Sequence, residues 1–257
     1  MQANVQQFFD RYELSCPSPD LEFLSRVAKA YSNLPYENVT KILKSASASV
    51  SDQKLRLTDE VLNDHLLWNT GGTCFSLCNA LHEILTVSGF SAFIAMADMH
   101  YGANIHCAIV VNAAGNRYLL DPGYLLHDPI PLPSVHLSHN NVMNTIVLQN
   151  EGKGNYSLFT EENGIQRWRY RLRAHPVSRV EFEKHWLHSF SLNSMEAVML
   201  TRMNESGRLY YRKDRLELVE SKRRTSHKIT PADFGMLSKM FGVPSDLILQ
   251  AQKALSF

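Results

Sequence analysis

Asn69-Thr70-Gly71-Gly72-Thr73-Cys74, continued by FSLCNALHEILTV as far as Val87, decides how this chain reads. Gly71-Gly72-Thr73 is a turn, and Leu77, Leu81, Ile84 and Leu85 recur behind it at helical spacing until Gly89 stops the run. Cys74 therefore sits on the first residue of an amphipathic helix. Free backbone N–H groups and the positive end of the helix dipole meet at that position, so a thiolate there is stabilised and the thiol becomes more acidic. The glycines before it let backbone or substrate come close to the sulfur. The plainer reading of any cysteine is a small buried hydrophobe; the Gly-Gly approach shifts the balance towards a nucleophile.

The residues before this turn read as helical. Leu21, Leu24, Val27 and Ala28 repeat behind Ser18-Pro19-Asp20, a cap with an early proline. Asn33-Leu34-Pro35-Tyr36-Glu37-Asn38 interrupts that helix, because proline lacks a donor and biases its predecessor away from helix. The Ser-rich stretch 45–54 reads as a mobile surface loop, and Thr58-Asp59-Glu60 opens a short helix to about Leu67. After Gly89 the texture changes to short strand-like runs at 90–97, 105–111, 117–120, 144–149, 157–160 and 166–172, which suggest a small antiparallel sheet or barrel. Further on, 178–188 and 233–241 read as helices, the latter closed by Gly242 and Pro244, with 209–211 and 216–219 extended.

The 257 residues carry a net charge of +1, with 44% apolar and 20% charged residues, the profile of a globular protein without a field that would draw it to nucleic acid or an anionic membrane. The N-terminus shows no basic segment followed by an apolar core, and no apolar run approaches the roughly 18 residues of a spanning helix. Four cysteines (Cys16, Cys74, Cys78 and Cys107) are too few and too uneven for a disulfide framework, which favours a reduced, cytoplasmic setting.

A thiol nucleophile needs a base and a third group to orient it. The best candidates lie on one hairpin, with Ile105–Val111 and Asn116–Asp121 flanking the loop Asn112-Ala113-Ala114-Gly115. If Val111 pairs with Asn116, His106 lies directly opposite Asp121 on the same face, within about 5 Å. That suits an imidazole held in one tautomer by a carboxylate. A polar pair on a solvated sheet face is the bland alternative.

These residues carry a family resemblance. The chain resembles an arylamine N-acetyltransferase, a family in which a Cys-His-Asp triad moves an acetyl group from acetyl-CoA to an aromatic amine. Leu34-Pro35-Tyr36-Glu37-Asn38 resembles its proline-aromatic-Glu-Asn segment, and Gly71-Gly72-Thr73-Cys74 its Gly-Gly-x-Cys turn. His106 lies fifteen residues before Asp121-Pro122-Gly123-Tyr124, which resembles an Asp-x-Gly-aromatic motif, and the tail around Gly207-Arg208-Leu209 and Phe241-Gly242-Val243-Pro244 is similar too.

The resemblance implies an α+β fold: a helical domain carrying the nucleophile (1–88), an antiparallel β-barrel carrying His106 and Asp121 (89–188) and an α/β lid (189–257). It implies catalysis by Cys74, His106 and Asp121 in a ping-pong N-acyltransferase. Donor contacts would come from Gly72, Thr73, Gly123 and Tyr124, with acetyl-CoA as donor, an aromatic amine as acceptor, and no metal, nucleic acid or membrane partner. Asn69 stands where the family usually has arginine, Ser76 where it has Glu or Gln, Cys78 where an asparagine is expected, and Leu125 where glycine is common.

Other readings of the same residues remain open. An amide synthase of the same fold would act on a carrier-bound thioester, and a transglutaminase- or peptidase-like enzyme would use the same triad with lysine or water. Cys74, Cys78 and His82 share a nominal helix face, but Cys74 and His82 lie roughly 12 Å apart along the axis, too far to share one zinc ion. His65, His100, His127, His136 and His139 read as solvated histidines in loops or at helix ends, His82 as a helix-surface histidine and Asp98 as a substitute orienter. Residues 202–228 hold nine Lys/Arg and four Asp/Glu, a solvated face or an aid to a donor's phosphates. Glu37 and Asn38, following Pro35, read as solvent-facing from the residues alone, whereas the resemblance implies a buried hydrogen-bonded anchor near the nucleophile.

Overall fold

The computed structural model describes residues 3–15, 18–141, 144–204, 206–220 and 223–255; Cys16 lies outside them. The N-terminal part forms α1 (Ala3–Arg11), α2 (Leu21–Tyr31), a two-residue strand β1 (Tyr36–Glu37), α3 (Val39–Ser47), α4 (Thr58–Trp68) and α5 (Cys74–Val87). Asp20 caps α2 by accepting from the Phe23 N–H at 2.8 Å. The stretch read as a mobile loop is in fact ordered at both ends. α3 runs on to Ser47, and Ser51–Lys54 form a 3₁₀ turn. Lys44, within α3, fixes this side through an ion pair with Glu60 at 2.8 Å.

An eight-stranded antiparallel sheet follows: β2 (Ser91–Met99), β3 (Gly102–Ala113), β4 (Asn116–Leu120), β5 (Ile130–Pro131), β6 (His136–Asn140), β7 (Thr145–Gly152), β8 (Asn155–Glu162) and β9 (Ile165–Arg173). Its spatial order is β5-β4-β3-β2-β9-β8-β7-β6, so the two edge strands are consecutive in sequence and the sheet curls into a nearly closed barrel. Helix α6 (Arg179–His188) leads to β10 (Met199–Asn204), β11 (Gly207–Arg212), β12 (Arg215–Glu220) and β13 (Arg223–Lys228), which with β1 make a second sheet in the order β1-β10-β11-β12-β13. α7 (Phe234–Phe241) and α8 (Ser245–Ala254) close the chain. Phe241 therefore ends the penultimate helix, since Pro244 begins another turn as well as ending one.

Three apolar cores follow from these faces. On β3, Cys107, Ile109 and Val111 point to the helical core with α1, α2, α4 and α5, while Ala108 and Val110 point into the barrel. Phe75, fully buried on α5, packs its ring 5.5 Å from Phe182 and 6.4 Å from Trp186 of α6. Burial of a side chain of that size stabilises by about 2–3 kcal/mol, and it fixes the first turn of α5. The third core sets α3, α7 and α8 against the five-stranded sheet. Among the described residues, no helix is long and apolar enough to cross a membrane.

Candidate active site

The turn before Cys74 is clamped from both sides. The Gly72 N–H donates to the Pro35 carbonyl at 3.3 Å and the Glu37 N–H donates to the Gly72 carbonyl at 3.0 Å. β1 pairs in turn with β10, Tyr36 opposite Thr201 and Glu37 opposite Leu200. A β-carbon on Gly71 would lie 2.0 Å from the Pro35 oxygen, so only glycine lets these two segments meet. Asn69 ends α4 in the left-handed conformation (φ 53°), which asparagine tolerates.

Arg56, unmarked in the sequence reading, braces the turn from inside. Only 3% exposed, its Nη1 donates to the Gly71 carbonyl at 2.8 Å and to Thr40 Oγ1 at 2.6 Å, and its Nη2 pairs with Asp64 at 2.7 Å. Thr40 also donates to Glu37, through N at 2.9 Å and Oγ1 at 2.6 Å. Asn38 donates to the Ser194 and Ala197 carbonyls and accepts from the Met199 N–H. Both acid and amide are buried, so this pair is the internal anchor expected of it.

Thr73 is the N-cap of α5 and its side chain makes no capping hydrogen bond, which leaves N–H groups free at Cys74. Cys74 is 7% exposed, with Sγ 4.0 Å from the Ile105 carbonyl on β3. The next residue on that strand is His106, whose Nε2 lies 2.8 Å from Asp121 Oδ2. The other carboxylate oxygen accepts from the Tyr124 N–H at 2.8 Å. Nε2 being engaged by Asp121, Nδ1 is the nitrogen left for the Cys74 thiol.

The register differs from the sequence reading. Val111 pairs with Tyr118 and Ala113 with Asn116, so the hairpin turns on two residues, Ala114 and Gly115, both at positive φ (47° and 75°). Paired positive φ values match the right-handed twist of the strands. Asp121 thus sits diagonally from His106 rather than opposite. A shift of two residues keeps every side chain on its face, and the contact survives it.

Charge follows from this geometry. A hydrogen bond from the Cys107 thiol, the His106 hydrogen bond and charge, and the Lys41 ammonium together hold Cys74 well below the usual thiol range, against the opposing effect of burial. Burial alone would lower His106, but the Asp121 carboxylate and the Cys74 thiolate override it and raise the imidazole well above its ordinary value. Cys107 and Cys78, fully buried, are pushed up by desolvation. A thiolate–imidazolium pair in a buried site can attack an acyl carbon.

Cys74 and His106 line a cavity of about 100 Å³ with Tyr36, Lys41, Thr73 and Gly123 among its walls. Tyr36, Gly123 and Tyr124 also border a wider cleft of about 310 Å³ that carries Arg169 and Arg208. Arg208 Nε is buried and has no hydrogen-bond partner among the described residues, which suits an anionic ligand. Gly123 must stay a glycine: its β-carbon would fall 2.5 Å from Cys74 Cβ and 3.1 Å from His106 Cε1. Gly72 faces elsewhere, against Ser76 Oγ and Arg56. Leu125 holds the left-handed conformation (φ 58°) that makes glycine common at such a place.

The remaining candidates have other tasks. Asp98 accepts from the Asn104 N–H and pairs with Arg173, so it does not reach His106 as a substitute orienter. His65 is buried rather than solvated, between the Tyr12 hydroxyl (2.6 Å) and the Thr70 carbonyl (3.0 Å), and burial pushes it down to about 4. His136 and His139 lie on β6, and half-buried His82 meets the Ala92 carbonyl at 3.1 Å. His127 Nε2 is buried as well.

A family model described as N-acetyltransferase matches residues 20–248. Among solved structures, a Mycobacterium smegmatis arylamine acetyltransferase in a cysteine-to-glutamine variant superposes with a TM-score of 0.82 at 18% identity, covering 100% of both chains. A Bacillus cereus arylamine N-acetyltransferase described by a Cys-His-Glu triad gives 0.77 at 19% identity, over 95% of this chain and 99% of its own. The Mycobacterium marinum arylamine N-acetyltransferase in complex with CoA gives 0.80 at 15% identity, over 96% and 97%. No curated protein matches the chain.

Proposed function

The chain belongs to the N-acetyltransferase family and has the fold of arylamine N-acetyltransferases, and from that premise we propose that it carries an acetyl group from acetyl-CoA on Cys74 and delivers it to an aromatic amine. The observation that supports this most is the Cys74–His106–Asp121 line at the wall of an enclosed cavity that shares residues with a wider, arginine-bearing cleft.

In this reading the Cys74 thiolate attacks the thioester carbonyl of the donor. The oxyanion forms near the unshared N–H groups that open α5, where a negative charge is favoured. The C–S bond to CoA breaks, His106 gives its proton to the departing thiolate, and Cys74 is left as an acyl thioester. The amine then attacks that carbonyl, neutral His106 takes its proton, and the Cys74 thiolate leaves. Asp121 holds the imidazole in the tautomer that both half-reactions need. Arg169 and Arg208, which line the wider cleft, would answer the donor's phosphates, and Thr73, Gly123 and Tyr124 would border its acyl end. Gly72 serves by shaping the turn. A reduced, cytoplasmic setting goes with a thiolate nucleophile.

Two half-reactions through one covalent intermediate predict ping-pong kinetics. With acetyl-CoA and a simple arylamine such as 4-anisidine, double-reciprocal plots at several amine concentrations should be parallel, and CoA should be released in proportion to amide formed. Intersecting lines would mean that both substrates must be bound together, and would remove the covalent intermediate from the path.

A further inference from the structure

Lys41 is a buried lysine with no acid beside it. It stands on α3 between Val39 and Ile42, only 5% exposed. Its Nζ donates to the Ser189 carbonyl at 2.9 Å and to Ser189 Oγ at 2.7 Å, and lies 4.4 Å from the centre of the Phe190 ring. These partners are all uncharged. Among the described residues, no carboxylate lies within ion-pair distance of it. Taking an ammonium out of water is costly unless another charge answers it.

The place of this ammonium says what could answer it. Lys41 lines the same cavity of about 100 Å³ as Cys74 and His106, and among the described residues no Asp or Glu lines it. Among the described lining residues, the anion on offer is the Cys74 thiolate. Acylation turns that thiolate into a neutral thioester, and in the same step His106 surrenders its proton. Burial lowers Lys41 to about 8, and the thiolate is the group that favours its charged form. When the acceptor arrives that support is gone, and an anionic group on the acceptor would restore it.

We infer that Lys41 is a specificity-determining residue whose ammonium binds an anionic group, such as a carboxylate, on the amine that accepts the acyl group. The inference rests on Cys74 being the acyl carrier. With a neutral acceptor the buried ammonium would have no partner and would tend to give up its proton, whereas an anionic acceptor keeps it charged and paired.

Calorimetry on the Cys74→Ala protein tests this without turnover, since alanine, like the thioester, removes the thiolate charge. Benzoate is expected to bind at least about tenfold tighter than its neutral analogue benzamide, the discrimination that a charge-assisted hydrogen bond supplies. Adding Lys41→Met should erase that preference, and Lys41→Arg should retain part of it. No preference in Cys74→Ala, or one that persists in Cys74→Ala/Lys41→Met, overturns the assignment.

In the intact enzyme, Lys41→Met should lower the ratio of kcat/KM for 4-aminobenzoate to that for aniline by about tenfold. Taking a ratio cancels any effect of Lys41 on the thiolate or on folding; equal losses for both amines would make the residue structural. If Cys74 never becomes acylated, the transfer reading fails, and the benzoate preference still decides whether Lys41 is an anion site.

Discussion

Asp121→Asn is expected to leave the protein folded and to lower acetyl transfer by on the order of 10⁴-fold, the scale of the same change in a serine triad. Asn can keep the acceptor role towards the Tyr124 N–H, because that contact uses the oxygen equivalent to Oδ1. The other arm becomes an NH₂ donor aimed at His106 Nε2, which must then accept. The ring proton moves to Nδ1, the nitrogen facing the thiol, and the imidazole can no longer take a proton there. Asp98 cannot substitute, since it is held by Arg173 and the Asn104 N–H. Steady-state rates with acetyl-CoA and an arylamine, beside the thermal transition of both proteins, check this. A variant that folds and turns over at the original rate would remove Asp121 from the mechanism.

Iodoacetamide should alkylate Cys74 ahead of Cys78 and Cys107, by about tenfold or more at pH 6.5. An ordinary thiol is only about 1% ionised at that pH, whereas Cys74 is lowered well below the usual range. The gain of about 10² in thiolate is partly offset, because a less basic thiolate is a weaker nucleophile. Burial adds to the contrast: Cys78 and Cys107 are wholly inaccessible and pushed up.

The sign of the pH effect follows from the two directions. Cys74, lowered, keeps its thiolate as pH falls until its own depressed value is passed, and only then should labelling slow. His106, raised, keeps its proton as pH rises until its elevated value is passed. Between the two the ion pair persists, so the rate should be nearly flat across neutral pH. Peptide mapping by mass spectrometry gives the site and the rate. A labelling rate that climbs tenfold per unit from pH 6 to 8 would mean an ordinary thiol.

The parts legible in sequence are those encoded locally. The Gly-Gly turn and the 3.6-residue period behind it place the start of α5 at Cys74, because both signals lie within a few residues. The hairpin register is not legible because Ala114 gives no sign of a left-handed turn, a conformation that Asn or Gly would have announced. Period-two alternation protects the His106–Asp121 contact from that error. β13, RRTSHK, is silent in the sequence since every residue is exposed and no apolar alternation marks it. Arg56 and Lys41 are also invisible there, because their burial depends on α3 meeting the turn before α5 and the segment around Ser189, contacts between residues far apart in the chain.

Intact-protein mass spectrometry after mixing with acetyl-CoA, without any amine, tests the central claim most directly. Cys74 should gain one acetyl mass, located by peptide mapping, and the adduct should disappear when an aromatic amine is added. His106→Ala should suppress its formation. The claim is contradicted if no acyl-CoA of any chain length modifies Cys74 while a small activated thioester, such as an N-acetylcysteamine ester, does; the nucleophile would then stand and its donor would be a different thioester.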